Sequence, residues 1–382
     1  MTITSKKYTY DKIRETEFLT DDDAALTWLS HFPSKEFQRF VLFYDEALDS
    51  VVIEKITTQL ESHGKKIILM PLVASEDTKS LAFYTVIVEK MQDHYCSKGD
   101  LAIALGGGTI IDLVMFTAST YMRGMPTMLI PTTLVGQVDA SSAGKTCLNT
   151  ALVKNQLGTF YYPRFVYNNV NFLTTNSYYY FRQGLSEVLK YGLLDSHEIL
   201  DELAKFKLMN DIPWLTKIVD LTIQSRVKIC NIDAGVSNLG HTFGHAIEKI
   251  TNYSVLHGDA INVGTVMALE YSVKQGLIKQ KLVDEVVSIM KRLKFNLYID
   301  KSWPAKKFVD LMMRDKKSFV NELNLILICG LADPYEKNGS RFYKADPRGV
   351  ELFLAEFFEK YDYARPDFLH YINREEIVYE IS

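Results

Sequence analysis

Three of the eight histidines of this 382-residue chain fall within one short span. His241 and His245 lie four apart in "NLGHTFGHAIEKI", so a helix puts them on one face, and His257 follows in "VLHGDAINVG". Thr242 stands where an HExxH metalloprotease carries its general-base glutamate, which excludes that chemistry. With Glu187 of "FRQGLSEVLKYGLL" as an acid from elsewhere, these imidazoles have the composition of a zinc site with nitrogen and oxygen ligands. Such a site keeps a coordination position open and is catalytic, whereas a closed structural site draws on cysteine. Cys96, Cys147, Cys230 and Cys329 show no CxxC spacing and read as buried, reduced thiols.

Other stretches carry residues suited to anionic ligands. "LAIALGGGTIIDL" places Gly106, Gly107 and Gly108 after an apolar run and before a helical one, where glycines let backbone N–H groups approach a pyrophosphate at a helix N-terminus. The spacing is not GxGxxG, and a plain tight turn would look the same. "QVDASSAGKTCLNTALVKN" gathers Asp139, Lys145, Asn149, Lys154 and Asn155 in a loop-like stretch. Lysines bind phosphate as point charges, and an adjacent acid can hold a hydroxyl or a lysine in place. Glu187 and Lys190, three apart, share a helix face, either as an exposed ion pair or as part of a site.

These residues need a scaffold. From Phe40 onward "FVLFYDEAL", "KKIILMPL", "DLAIALGGG" and "PTMLIPTTL" read as strands, with helix-like stretches between the first three. That rhythm predicts an α/β domain with a largely parallel sheet. The pattern turns to long helical periodicity after "NNVNFLTTNS", which sets the expected division at an α/β domain over residues 1–172 and an all-α domain over residues 173–382. The helical part is expected to close over the carboxyl edge of the sheet, where open α/β sheets bind ligands.

Composition narrows the partners. Hydrophobic residues make up 47% and charged residues 24%, with 22 Tyr and 21 Phe, a balance suited to packed domains and opposed to disorder. A net charge of -4 gives no field to hold a polyanion, so nucleic acid is excluded as the main partner. No run reaches the length of a membrane span and the start lacks a signal-type apolar core. A cytoplasmic protein with no membrane partner is expected.

Together these stretches resemble the 3-dehydroquinate synthase family of sugar-phosphate cyclases, from about Asp45 to Gly330. "SEDTKS" is similar to the family's GExxKS and "GGGTIIDL" to its GGGVxGDL. "YMRGMPTMLIPTTLVGQVDASSAGKT", "GLSEVLKYG" and "NLGHTFGHAIE" with "LHGD" follow in the family's order. The resemblance implies a Rossmann-like N-terminal domain, a helical C-terminal domain, NAD, and Zn2+ or Co2+. It implies that Glu187, His241 and His257 hold the metal while His245 faces the substrate phosphate. Asp45, Glu76, Lys79, Gly106, Gly107, Gly108, Asp112, Thr132 and Thr133 would line the NAD site, with Asp139, Lys145 and Lys154 beside it. Asp139, Lys145, Asn155, Lys190, Asn238 and Lys316 or Lys317 would hold a sugar phosphate. Arg123 would reach the phosphate, in the partner subunit of a homodimer.

One segment departs from the family pattern. Where dehydroquinate synthases carry KxxVVxxDExExGLRxxLNLGH, with a lysine and an arginine for the substrate carboxylate, this chain reads "RVKICNIDAGVSNLGH". It is shorter by about six residues, Arg226 or Lys228 stands in for the lysine, and the arginine before Asn238 is absent. The expected activity is therefore phosphate elimination and ring closure on a sugar phosphate lacking a carboxylate, as in cyclitol biosynthesis. The alternatives are 3-dehydroquinate synthase itself and an iron-type polyol or glycerol dehydrogenase.

Overall fold

The computed structural model describes residues 15–150, 155–233, 235–314 and 322–361. Lys154, Lys316 and Lys317 lie outside the described residues. The first half is a six-stranded sheet: β1 (Glu17–Asp21), β2 (Phe40–Asp45), β3 (Ile67–Leu72), β4 (Leu101–Gly106), β5 (Thr127–Pro131) and β6 (Phe165–Asn169). Its order is β1-β6-β5-β4-β2-β3, with every pairing parallel. β4 and β5 are buried along their whole length, as strands covered on both faces must be, which is why they read as unbroken apolar runs. Successive residues of a strand face opposite sides. Val41 and Phe43 thus enter one apolar core with Ala102 and Ala104, while Phe40 and Leu42 enter the other with Leu101 and Ile103.

The connecting helices are α1 (Ser50–Glu61), α2 (Leu81–Asp93), α3 (Gly108–Thr120) and the short α4 (Leu134–Val138). Asp49, Ser80 and Thr133 cap α1, α2 and α4 by accepting from backbone N–H groups, which satisfies donors that the first helical turn leaves without partners. α3 begins at Gly107 with no side-chain cap, so its free N–H groups face the end of β4.

β1 and β6 are elements that the apolar runs did not announce. β6 is "FVYNN", and its buried Asn169 donates to Asp23 O at 2.8 Å and accepts from the Asn171 N–H at 3.0 Å. A polar-looking stretch is thus the last strand of the sheet plus a 3-10 turn, Val170–Thr175. α5 (Tyr178–Leu194) follows, then α6 (His197–Lys205), α7 (Ile212–Asp233), α8 (His241–Ile250), α9 (His257–Lys274), α10 (Gln280–Arg292), α11 (Ala305–Met313) and α12 (Pro347–Lys360). The second half is helical, with two two-stranded ribbons added, β7 (Leu323–Leu325) with β10 (Tyr343–Ala345) and β8 (Ile328–Gly330) with β9 (Asp333–Pro334). No described helix is long and apolar enough to cross a membrane.

Two contacts bring the functional helices together. α8 and α9 pack backbone to backbone: Gly240 has φ +76°, and a Cβ there would lie 2.7 Å from Thr265 N, while one on Gly264 would lie 2.2 Å from Gly240 O. Only glycine permits both the conformation and the approach. α5 in turn grips the start of α9, because Arg182 Nη2 lies 3.2 Å from Asp259 Oδ1 and Gln183 Oε1 accepts from Asp259 N–H at 3.1 Å. All three partners in this clamp are buried.

Candidate active site

Glu187 lies one turn beyond the clamp on α5 and is fully buried, as is Lys190. The pair is therefore no surface decoration. Glu187 Oε2 accepts from Lys190 Nζ, while Glu187 Oε1 is buried without a hydrogen-bond partner. His241 Nε2 stands 3.7 Å and His257 Nε2 3.6 Å from that oxygen. His241 Nδ1 meets Leu239 O at 3.1 Å and His257 Nδ1 meets Glu248 Oε1 at 3.2 Å. An Nδ1–H donated in each case leaves both Nε2 lone pairs directed toward the orphaned carboxylate oxygen. Two ligands of a tetrahedral ion with bonds of roughly 2 Å lie roughly 3.4 Å apart, so one acid and two imidazoles at these separations fit a metal ion.

The charges around this cluster form a chain. Burial would raise the Glu187 carboxyl, but Lys190 and then His257 override it and hold it near 2. Desolvation by the surrounding protein disfavours charge on the partly exposed His257 ring, yet Glu248 and Glu187 lift its pKa to about 10, so a metal ion would bind Nε2 by displacing its proton. Lys190 Nζ lies 3.8 Å from Asp139 Oδ1 and Arg226 Nε 3.2 Å from the same oxygen. The Tyr191 hydroxyl donates to it at 2.8 Å. Burial opposes ionisation of Asp139, and the Arg226 and Lys190 cations outweigh it, so the carboxyl stays below its ordinary range. Lys145 joins this group: burial and the nearby Arg226 depress its pKa, with Asp139 opposing. His245 comes close as well, its ring 5.5 Å from that of His241 and 6.3 Å from that of His257.

A second cluster occupies the sheet's carboxyl edge. β2 is connected outward to β3, and β4 in the other direction to β5, so the crevice between the ends of β2 and β4 is a topological switch point. Asp45 ends β2, and Gly106, Gly107 and Gly108 lead from β4 into α3. A Cβ on Gly106 would meet Ile110 Cγ1 at 2.8 Å, and one on Gly107 would meet Thr133 Cγ2 at 3.2 Å. Side chains at Gly106 and Gly107 would collide with these neighbours, so the turn into α3 keeps its backbone uncovered there. Thr132 is buried beside it. Lys79, also buried, bonds Asp112 Oδ2 and Asn155 Oδ1, each at 2.6 Å, and Glu76 Oε2 accepts from Asn149 Nδ2 at 2.8 Å.

Some expected residues fall elsewhere. Asn155 is tied to the Lys79 cluster and accepts from Cys147 Sγ. Asn238 donates its amide to Gly235 O at 2.7 Å. Arg123 is exposed and follows the C-terminal end of α3, roughly 20 Å along that helix from Gly108 at 1.5 Å per residue. The four cysteines are free thiols, but only Cys96 is buried and Cys329 is exposed. Of the two cations that could replace the missing lysine, Arg226 faces the site and Lys228 points to solvent, pairing with Asp195 at 2.5 Å. Tyr191, Asp259 and Glu248 lie inside the matching motifs yet take no role from the sequence alone, and Arg182 takes none either. Glu248, three residues after His245, was within reach of helical spacing, whereas the bond from Tyr191 to Asp139 spans 52 positions and left no periodic trace.

Two family models match in sequence order, the 3-dehydroquinate synthase N-terminal model over residues 69–183 and the C-terminal model over residues 184–318. A 3-dehydroquinate synthase of Vibrio atlanticus is 36% identical over 324 residues, which is 81% of this chain and 87% of that protein. Among solved structures, 2-deoxy-scyllo-inosose synthase complexed with carbaglucose-6-phosphate, NAD+ and Co2+ aligns with TM-score 0.79 at 19% identity, covering 89% of this chain and 96% of the other. ValA, a 2-epi-5-epi-valiolone synthase of Streptomyces hygroscopicus subsp. jinggangensis with NAD+ and Zn2+ bound, aligns with TM-score 0.79 at 20% identity over 93% and 100% of the two chains. The structural likenesses establish the two-part fold. The paired family models and the identity to the Vibrio protein go further: this chain belongs to the 3-dehydroquinate synthase family.

Proposed function

We propose that the protein is an NAD- and zinc-dependent sugar-phosphate cyclase that eliminates phosphate and closes a six-membered carbocycle. The observation that carries this reading is the convergence of two imidazole Nε2 atoms on the buried, unpartnered Oε1 of Glu187, beside a linked set of lysines and one carboxylate. Glu187, His241 and His257 would hold zinc, or cobalt in its place. The NAD pyrophosphate would lie at the N-terminus of α3 over Gly107 and Gly108, with Asp45, Glu76, Lys79 and Asp112 around it. When bound, the two cofactors supply a reversible hydride acceptor and a Lewis acid, which together make the C–H beside a transient ketone acidic.

The chain's own residues do the rest. Lys145 and His245 bind the phosphate and stabilise its departure. Arg123, too far along α3 to serve its own subunit, completes the phosphate site of the second copy in a homodimer. Asp139, kept ionised and held by Tyr191, accepts from a substrate hydroxyl, and Lys190 positions both Asp139 and Glu187. Such a cyclase would leave NAD+ unchanged overall, so no net NADH is expected.

For the substrate we favour a sugar phosphate without a carboxylate. α7 ends at Asp233 and the turn Val236–Asn238 follows closely. Among the described residues of this segment Arg226 is the guanidinium facing the site, and it is ion-paired with Asp139, its Nε 3.2 Å from Oδ1. A buried carboxylate without a charge-assisted partner of its own costs a few kcal/mol, roughly a hundredfold in discrimination. One observation supports 3-dehydroquinate synthase instead: Arg226 Nε and Nη1 are both buried without a hydrogen-bond partner and could donate to such a group. Comparing kcat/KM for the heptulosonate phosphate of dehydroquinate synthases, sedoheptulose 7-phosphate and glucose 6-phosphate, by phosphate release, decides between them. A wide margin for the acid overturns our substrate. Stoichiometric NADH overturns the cyclase reading in favour of a dehydrogenase.

A further inference from the structure

His241 and His257 are held in different ways. His241 is buried and bonded to Leu239 O, two residues back in its own chain segment, so packing and local geometry both fix its ring. His257 opens α9 and is 44% exposed at its side chain, so packing covers its ring less completely. What meets its Nδ1 is Glu248 Oε1, on the neighbouring helix. Glu248 follows His241 by seven and His245 by three positions, so all three share one face of α8. Its carboxylate is only 14% exposed. One ligand atom from each of Glu248, His245 and His257 lies within 4.8 Å of the others.

We propose that Glu248 is a positioning residue of the metal site: its Oε1 accepts the Nδ1–H of His257, which fixes the ring and keeps Nε2 directed at Glu187. The inference rests on the assignment of Glu187, His241 and His257 as metal ligands. It gives α8 two tasks, supplying one ligand and steadying the ligand that α9 supplies. A carboxylate behind a ligating imidazole both orients it and raises its basicity, and its loss commonly weakens metal binding by about 10–100-fold.

The test is zinc affinity of the full chain, measured by chelator competition without turnover, for the wild type and for Glu248→Ala, Glu248→Gln and Glu187→Ala. Glu248→Ala is expected to bind zinc about 10–100-fold more weakly, and Glu248→Gln, whose amide oxygen still accepts, to lose less. The melting temperature of the metal-free Glu248→Gln protein should match the wild type, which a purely structural role would not predict. Zinc binding within twofold of the wild type in both Glu248 variants overturns the inference. If Glu187→Ala also binds normally, the ligand assignment itself falls; if only Glu187→Ala is impaired, the ligands stand and the role of Glu248 alone is lost.

Discussion

The two halves of this molecule build their proposed sites from different materials. At the sheet edge the working surface is backbone: the open N-terminus of α3, reached over Gly107 and Gly108, with Thr133 close enough that a Cβ on Gly107 would touch it. In the helical half the surface is side chains, Glu187, His241, His257, Lys190 and Asp139, carried on elements that meet through glycine contacts and a buried ion pair. A backbone site fails when atoms are added, and a side-chain site fails when they are removed. The halves should therefore separate cleanly under mutation.

The largest effect is expected at Glu187. Glu187→Ala removes a proposed metal ligand and also strips Lys190 of its nearest anion, leaving a fully buried ammonium whose next carboxylate is 3.8 Å away. Breaking a buried pair on one side costs about 3–5 kcal/mol. Urea unfolding should show that loss, with metal content and phosphate release falling together. A variant with wild-type stability would show that Lys190 finds solvent or Asp139 more easily than its burial implies.

The two glycine contacts give a paired test. Gly240→Ala must adopt φ +76° and place a Cβ 2.7 Å from Thr265 N, which costs about 1–3 kcal/mol and pushes α8 from α9, so zinc affinity should fall while NAD+ affinity holds. Gly107→Ala, with its 3.2 Å approach to Thr133, should do the reverse, weakening NAD+ by about tenfold, roughly 1.4 kcal/mol, with metal content unchanged. Isothermal titration of both ligands into both variants reads the result. Crossed effects would mean that the halves are mechanically coupled.

The same contrast explains what the sequence disclosed. Strands buried on both faces, such as β4 and β5, are legible because nearly every residue is apolar, and the proposed ligands His241 and His257 are legible because they sit in recognisable motifs. β6 was not, since Asn168 and Asn169 are buried polar residues and periodicity cannot distinguish a satisfied buried asparagine from a loop. Tyr191 and Arg226 converge on Asp139 from distant positions, and that depends on how α5 and α7 pack against the end of α4. Local sequence does not encode such packing. The choice of Arg226 over Lys228 was open for the same reason, since either could have faced inward until the rotation of α7 was known.

A subtler effect concerns acid stability. Asp139 is held below its ordinary carboxyl range by Arg226 and Lys190, against its burial. A carboxyl depressed on folding contributes stability that is complete above its unfolded pKa, near 3.8, and is lost as pH falls through the lower folded value. The stability gap between the wild type and Asp139→Asn should thus be constant near neutrality and narrow below about pH 4. Chemical denaturation across that range checks it, and a gap independent of pH would mean that folding does not lower the Asp139 pKa.

The smallest effect is expected at Lys228, two residues from Arg226 on α7 and turned to the other side. Its side chain is 64% exposed, and its partner Asp195 lies at 2.5 Å. Solvent screens such a pair, and ordering a long side chain offsets much of the attraction, so Lys228→Ala should change stability by no more than about 0.5 kcal/mol. Because Lys228 points away from Asp139 and Lys145, kcat/KM for the preferred sugar phosphate should stay within about twofold of the wild type, less than 0.5 kcal/mol of transition-state energy. Arg226→Ala, by contrast, removes a buried cation whose Nε faces Asp139 and should be costly in both measurements. A tenfold drop in kcat/KM for Lys228→Ala would mean that the side-chain half of the site extends around α7 to its solvent face, and that the boundary drawn here between scaffold and site is wrong.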